Sequence, residues 1–354
     1  MTLGVIWDGN RVSTTDIRST RPMAAQILKG KTPLQVLQIV PLLFSVCGRA
    51  QGAAAAAALH AAQSAGSPID AKVERNIVCE AIQEHLWRVM LDWPKLVGLN
   101  QQELRFAGWY SLLRKIGAGE AEMDVFLQEF ERDCLGISVA DWRGISDYHT
   151  LRTWWSKAHS PVAQLLARLA ELELGTQASL GVPLLPAWTA AEASRACAGR
   201  WDATFSARPD RGGEAAETGA WSYYANDGLL NDVSKQSESK ALTRLLARVM
   251  DVVEMASGNA APRLDVISPA ADEGVAVVRT ARGLLMHRVH LAAERVADYE
   301  IVAPTEWNFH PDGAFAQSMR GLKVSDVKRL QQLAQIEALS LDPCVAYEIE
   351  VRNA

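Results

Sequence analysis

Two lone cysteines, one near each end of the chain, are the residue type best suited to hold a soft metal. Cys47 sits in "SVCGRAQGAAAAAA" (45–58), directly before Gly48 and an alanine-rich stretch. A thiol at a helix N-terminus feels the positive end of the helix dipole, which favours the metal-binding thiolate. Cys344 lies in "LSLDPCVAYEIEVRNA" (339–354), after Asp342-Pro343. Proline disfavours helical backbone in the residue before it, so an extended segment is predicted to present the Cys344 side chain from a fixed turn. Taken singly, each cysteine also reads as a buried structural thiol, since free cysteine is among the most buried residue types.

Two further stretches offer polar groups. "TARGLLMH" (280–287) places Arg282, a planar fork of donors, beside Gly283, which permits close backbone approach. "VAPTEWNFHP" (302–311) gathers Pro304, Thr305, Trp307 and Asn308 into one turn. Their bland readings are a surface arginine and a strand-ending loop with a satisfied threonine. His287 and His290 are three apart on a predicted strand and point to opposite faces, which argues against a two-histidine metal clamp. His60 and His85 read as satisfied helix histidines, and Glu348 and Glu350 as solvated. Cys79, Cys134 and Cys197 read as packing residues.

The elements that must position these groups are mostly helical. "LGVIW" and "RVSTTDI" flank "DGN", a hairpin with an Asp-Gly two-residue turn signal. A short helix over 23–29 ends at Gly30. Residues 33–46 predict a helix up to Val40, with Pro41 forcing a break. Residues 53–64 are rich in alanine, a strong helix former. Helical periodicity covers 70–92, 101–116, 119–134 and 160–173. Leu104, Phe106, Trp109, Leu112 and Leu113 mark one face of the second. Punctuated loops follow, at "GTQASLGVPLLPAW" and "ARPDRGGEAAETG". Residues 235–256 form an amphipathic helix, its inner side lined by Leu242, Leu245, Leu246, Val249, Val252 and Val253. "GVAVVRTARGLLMHRVHL" and "VADYEIVAPT" are β-branched, alternating strands, and a last helix covers 325–338. The predicted fold is α+β and mostly helical, with small β elements near both chain ends, which are placed to meet.

Composition narrows the function. The 354 residues suffice for one large domain or two ordinary ones, and the formal net charge of −5 leaves no basic footprint for nucleic acid. "MTLGVIWDGNRV" reaches Asp8 too soon for a secretory leader, and no apolar run approaches the roughly 20 residues of a membrane span. A soluble cytoplasmic protein is expected. Five irregularly spaced cysteines argue against a disulfide framework, and neither CxxC nor HExxH occurs.

The order of the motifs is more specific than any one of them. "ILKGKTPLQVLQIVPLLFSVCGRAQG", "TARGLLMH", "EIVAPTEWNFHPDG" and "SLDPCVAY" together resemble the large subunit of [NiFe] hydrogenases along nearly the whole chain. "EHLWRVMLDWPKLVG" and "ETGAW" are similar as well. The resemblance implies one large-subunit-like domain over 1–354. Its helical body covers about 53–256, and the N- and C-terminal segments meet at a metal site. Departures from the family pattern are concentrated at that site. Ser45 stands where the family has arginine, Ala50 and Tyr347 replace its two iron-bridging cysteines, and Glu350 replaces its histidine. Four residues follow Glu350, leaving little of the C-terminal extension that family precursors carry.

With the bridging pair gone, a stable nickel–iron centre and hydrogen turnover are not expected, and nickel is not an expected cofactor. The degenerate pattern resembles the maturation proteins of the HupK/HoxV type. That resemblance implies a non-enzymatic scaffold that transiently holds the Fe(CN)2(CO) unit and passes it to a true large subunit. Cys47 and Cys344 would be the metal ligands, and Arg282 and Thr305 the hydrogen-bond donors to the cyanides. Implied partners are a HypC-type chaperone and the hydrogenase large-subunit precursor. Two alternatives stand beside this reading: a metal-free protein that docks chaperones, and a hydrogenase-like electron-transfer subunit.

Overall fold

The computed structural model describes residues 1–19, 24–44, 46–63, 70–172, 181–237 and 240–354. Strands β1 (Thr2–Trp7) and β2 (Val12–Arg18) pair antiparallel as the predicted hairpin. The connection spans residues 8–11 rather than two residues. Asp8 Oδ1 accepts from the amides of Asn10 and Arg11 at 2.8 and 2.7 Å, which closes a wider turn with Gly9 at φ 95°.

Helix α1 (Pro33–Leu43) is capped by Thr32 and runs through Pro41 instead of breaking there. Pro41 cannot donate to the carbonyl four residues earlier, but the helix ends two residues later at Leu43, so the disruption falls at its terminus rather than in its interior. Helix α2 (Gly48–Gln63) is the alanine helix, and α3 (Ala71–Trp87) follows, extended by a π turn over Arg88–Asp92. In α4 (Glu103–Ala118) Trp109, Leu113 and Ile116 face the core, whereas Leu104 is 93% exposed and lies off the predicted face. Helix α5 (Pro161–Leu172) matches its predicted span. The long helix α6 (Lys240–Ala256) buries its six predicted apolar residues and also Arg244, Arg248 and Asp251.

Strands β3 (Leu264–Ile267), β4 (Glu273–Thr280), β5 (Gly283–Ala292) and β6 (Arg295–Val302) form an antiparallel sheet in the order β3-β4-β5-β6. Helix α2 lies on this sheet, with Ala54, Ala55, Ala58 and Ala62 packed among Ala276, Val278, Leu285 and Val289. The approach is close: a Cβ on Gly274 would fall 1.9 Å from the Ala58 carbonyl oxygen. The alanine run is therefore a packing surface. After α7 (Pro304–Asn308) and α8 (Val327–Leu341), strand β7 (Glu348–Asn353) pairs parallel with β1. The two chain ends thus share one sheet, in the order β2-β1-β7. Among the described residues, no helix is long and apolar enough to cross a membrane.

Candidate functional site

Cys47 sits at the N-terminus of α2, as its sequence predicts, with its carbonyl accepting from the Gln51 amide at 3.0 Å. The electrostatics run opposite to the prediction. Glu80 of α3 takes the free amides of Arg49 and Ala50 at 2.9 and 2.8 Å, bringing a carboxylate to the helix end. Cys47 is only 9% exposed. Burial, followed by the charges of Glu84 and Cys344, pushes its thiol well above the usual range. The dipole is outweighed because desolvation penalises the thiolate directly. Metal capture here must displace a proton.

Cys344 is half-buried beside α7. The Thr305 hydroxyl donates to its sulfur at 3.1 Å and accepts from its backbone amide at 3.1 Å, clamping the residue at two points. Asp342 is not extended as Pro343 would suggest; it caps α8 in the left-handed region at φ 52°. Left-handed backbone is tolerated by aspartate better than by most residues. Here the carboxylate is also pinned. Arg88 Nε donates to it at 2.7 Å, Arg248 Nη1 donates at 3.1 Å, and Arg282 Nε lies 3.3 Å away. Burial opposes ionisation, yet Arg282, Arg248 and Arg88 together hold this carboxyl well below its usual range.

Arg282 is 3% exposed, not the surface arginine of its bland reading. Its Nη1 donates to Glu84, and its Nη2 has no hydrogen-bond partner among the described residues. Cys47 and Cys344 both lie within its electrostatic reach. The charges of two cysteines from opposite chain ends therefore act on one guanidinium. Glu84 is pushed up to about 8 by burial, against the pull of Arg282, and its Oε1 also has no hydrogen-bond partner among the described residues. The neighbouring motifs hold this arginine in place. A Cβ on Gly283 (φ 134°) would lie 2.5 Å from Thr218 Cγ2, so only glycine fits. Thr218 Oγ1 accepts from the Leu284 amide at 2.9 Å, and Asn308 grips the Thr218 backbone at 2.8 and 2.9 Å.

A cleft of about 1080 Å³ opens over this region, lined by Val46, Trp87, Arg88, Asp342, Cys344 and Tyr347 among others. Ala50 is buried in the core and Tyr347 lines the cleft wall. Glu350 lies on β7 and pairs with Arg352, which also reaches Asp16 at 2.9 Å. Glu348 accepts from Thr2 Oγ1 at 3.0 Å. His287 and His290 point apart: His287 is buried against Tyr299 and Gln51, and His290 is half-buried. His85 is a satisfied core histidine, 2.9 Å from Asp251. Cys79, Cys134 and Cys197 are buried and free. Ser45 lies outside the described residues. Among those residues, no group of three or more His, Cys, Asp or Glu is placed to hold a metal.

Sequence reasoning missed Glu80, Glu84, Arg88, Arg248 and the charge role of Asp342. A signal existed for the first three: a spacing of four places Glu80, Glu84 and Arg88 on one stripe of α3. The π turn at Arg88–Asp92, a feature frequent at functional sites, has no such signature.

The architecture is that of the [NiFe] hydrogenase large subunit. The nickel-dependent hydrogenase family matches residues 230–349. A chain of the Ni-Fe-Se hydrogenase from D. vulgaris Hildenborough superposes with a TM-score of 0.61 at 16% identity, covering 96% of this chain and 95% of that one. The reduced Ni-Fe-Se hydrogenase from Desulfomicrobium baculatum superposes at 0.60, with 15% identity and coverage of 96% and 95%. Nearer in sequence are two bacterial relatives. The hydrogenase expression/formation protein HoxV of Cupriavidus necator is 31% identical, over 94% of this chain and 92% of its own. The corresponding HupK of Azotobacter vinelandii is 31% identical, over 97% and 95%. The chain belongs to the HoxV/HupK family of hydrogenase expression/formation proteins.

Proposed function

We propose that this protein is a non-enzymatic scaffold of hydrogenase maturation. It accepts the Fe(CN)2(CO) unit as cargo between Cys47 and Cys344 and releases it to the precursor of a true large subunit. The observation that carries this reading is Arg282 Nη2, a buried donor without a hydrogen-bond partner among the described residues, on a guanidinium that feels the charge of both cysteines. A buried donor left unpaired is costly, so the site fits an acceptor such as a cyanide nitrogen. Charge supports the same conclusion: Arg88, Arg248 and Arg282 converge on Asp342 next to the Cys344 turn, and the Arg282 guanidinium favours the thiolate of Cys47. Thr305 holds the Cys344 sulfur in the absence of cargo and serves the second cyanide by turning its hydroxyl. Two thiolates bind more loosely than four, which suits a carrier that must release its load. The cleft beside Cys344 is the approach for a HypC-type chaperone and for the precursor.

The test is infrared spectroscopy on protein purified without oxygen from a host with the maturation machinery. Cyanide and carbonyl stretches on the wild-type chain, lost in Cys47→Ala and in Cys344→Ala while both variants remain folded, are the expected result. Full loading of both variants overturns the proposal.

The protonated, sealed thiol of Cys47 favours a second reading, a metal-free protein that docks chaperones. That reading expects partner pull-downs to survive loss of both cysteines and the infrared bands to be absent from the wild type.

A further inference from the structure

Behind Cys47, a line of buried polar groups crosses from α2 to the sheet. Gln51 Nε2 lies 3.8 Å from the Cys47 sulfur, within the range of an N–H to sulfur hydrogen bond. Gln51 Oε1 lies 2.8 Å from His287 Nε2 on β5. His287 Nδ1 lies 2.9 Å from the Tyr299 hydroxyl on β6. Gln51, His287 and Tyr299 are all fully or almost fully buried.

Such a line can be wired in two directions, because an amide and a neutral imidazole each have one accepting and one donating end. In the outward direction, Cys47 S–H donates to Gln51, Gln51 to His287, and His287 to the Tyr299 oxygen. The tyrosine proton is then stranded in the core, since His287 is the only hydrogen-bond partner of that hydroxyl among the described residues. In the inward direction, Tyr299 donates to His287 Nδ1, His287 Nε2–H donates to Gln51 Oε1, and Gln51 N–H donates to sulfur. Every nitrogen and oxygen in the line then has a partner, and the one donor left over is the weak S–H of Cys47. Buried polar groups are satisfied wherever the geometry allows, which selects the inward direction.

We propose that Gln51 is a positioning residue for the Cys47 sulfur, its amide turned donor-first toward that sulfur by a one-way chain from Tyr299 through His287. A metal-bound sulfur can only accept hydrogen bonds, so the chain is arranged for the ligand form of Cys47. It holds that sulfur in one orientation. Burial lowers His287 to about 3, which keeps the ring neutral with a single N–H and so preserves the direction. This role rests on the reading of Cys47 as a metal ligand, whereas the direction of the chain does not.

Two measurements on the full-length chain test it. The first is nitrogen-15 NMR of labelled histidine in the metal-free protein. A neutral His287 protonated at Nε2 in the wild type, shifting toward a tautomer mixture in Tyr299→Phe, is expected. An Nδ1-protonated wild-type ring overturns the direction. The second is titration with cobalt(II), read by its thiolate charge-transfer absorbance. Gln51→Glu keeps an acceptor for His287 and removes the donor to sulfur. It is expected to weaken cobalt(II) binding by about tenfold or more, the usual effect of losing a group that orients a ligand. Tyr299→Phe, which touches neither sulfur nor metal, is expected to weaken binding in the same sense while the far-ultraviolet circular dichroism shows the fold retained. Cobalt(II) binding that is unaltered in both variants overturns the positioning role. If Cys47→Ala binds cobalt(II) as the wild type does, the metal-site reading itself fails, and the tautomer still decides the chain.

Discussion

Asp342 is the residue whose replacement should be felt most strongly. It is fully buried, and Arg88, Arg248 and Arg282 converge on its carboxylate. Asp342→Asn keeps the shape and tolerates the left-handed backbone, but it removes the counter-charge of three guanidinium groups. Breaking a buried ion pair from one side costs about 3–5 kcal/mol. Asp342→Ala adds left-handed strain of about 1–2 kcal/mol, which Asp342→Gly relieves. The expected order of stability is therefore wild type, then Asn, with Ala below both Asn and Gly. Urea unfolding followed by tryptophan fluorescence measures it. The pH dependence gives an independent check. A carboxyl whose folded pKa is depressed contributes stability that is present above its unfolded value of about 3.9 and is lost as pH falls toward the folded value. The gap between wild type and Asp342→Asn should thus be full at pH 7 and shrink below about pH 4. An Asn variant within about 1 kcal/mol of wild type at pH 7 would refute the assignment of Asp342 as the shared counter-ion.

Glu84 carries the opposite pH signature. Its folded pKa of about 8 lies above the unfolded value of about 4.3, so its contribution is fully present below the lower value and is lost as pH rises toward 8. Glu84→Gln should flatten the stability profile between those limits, and an unchanged slope there would contradict the raised pKa. Gly274→Ala places a methyl group 1.9 Å from the Ala58 carbonyl and must push α2 off the sheet. A loss of about 1–3 kcal/mol is expected, together with reduced iron loading because Cys47 moves with the helix; a melting curve identical to wild type would exclude so close a helix–sheet contact.

Much of the fold was legible locally. Alanine content marked α2, β-branched alternation marked β4 to β6, and the spacing of Leu242 to Val253 marked the buried side of α6. The order of the cysteine, arginine, threonine and Asp-Pro-Cys motifs pointed to the large-subunit architecture. The failures were also local arguments. Pro41 was expected to end its helix, Leu104 to face inward, and Asp342 to be extended, because propensity and periodicity treat each segment without its neighbours. Glu84, Arg88 and Arg248 drew no notice, since a charge on a helix reads as solvated until something covers it.

The sequence by itself determined which residue types were present, most of the helices and strands around the site, and that one thiol stood at a helix start and another after Asp-Pro. Only the tertiary structure decided their chemistry. It buried Cys47 beneath Glu80 and Glu84 so that its thiol keeps its proton, and it brought arginines from three distant segments onto one aspartate. It also left one arm of Arg282 without a hydrogen-bond partner among the described residues. The reason is physical: helix and strand preferences are set by neighbours along the chain. Protonation and ligand affinity depend on charges and desolvation summed over groups that only folding brings within a few ångströms.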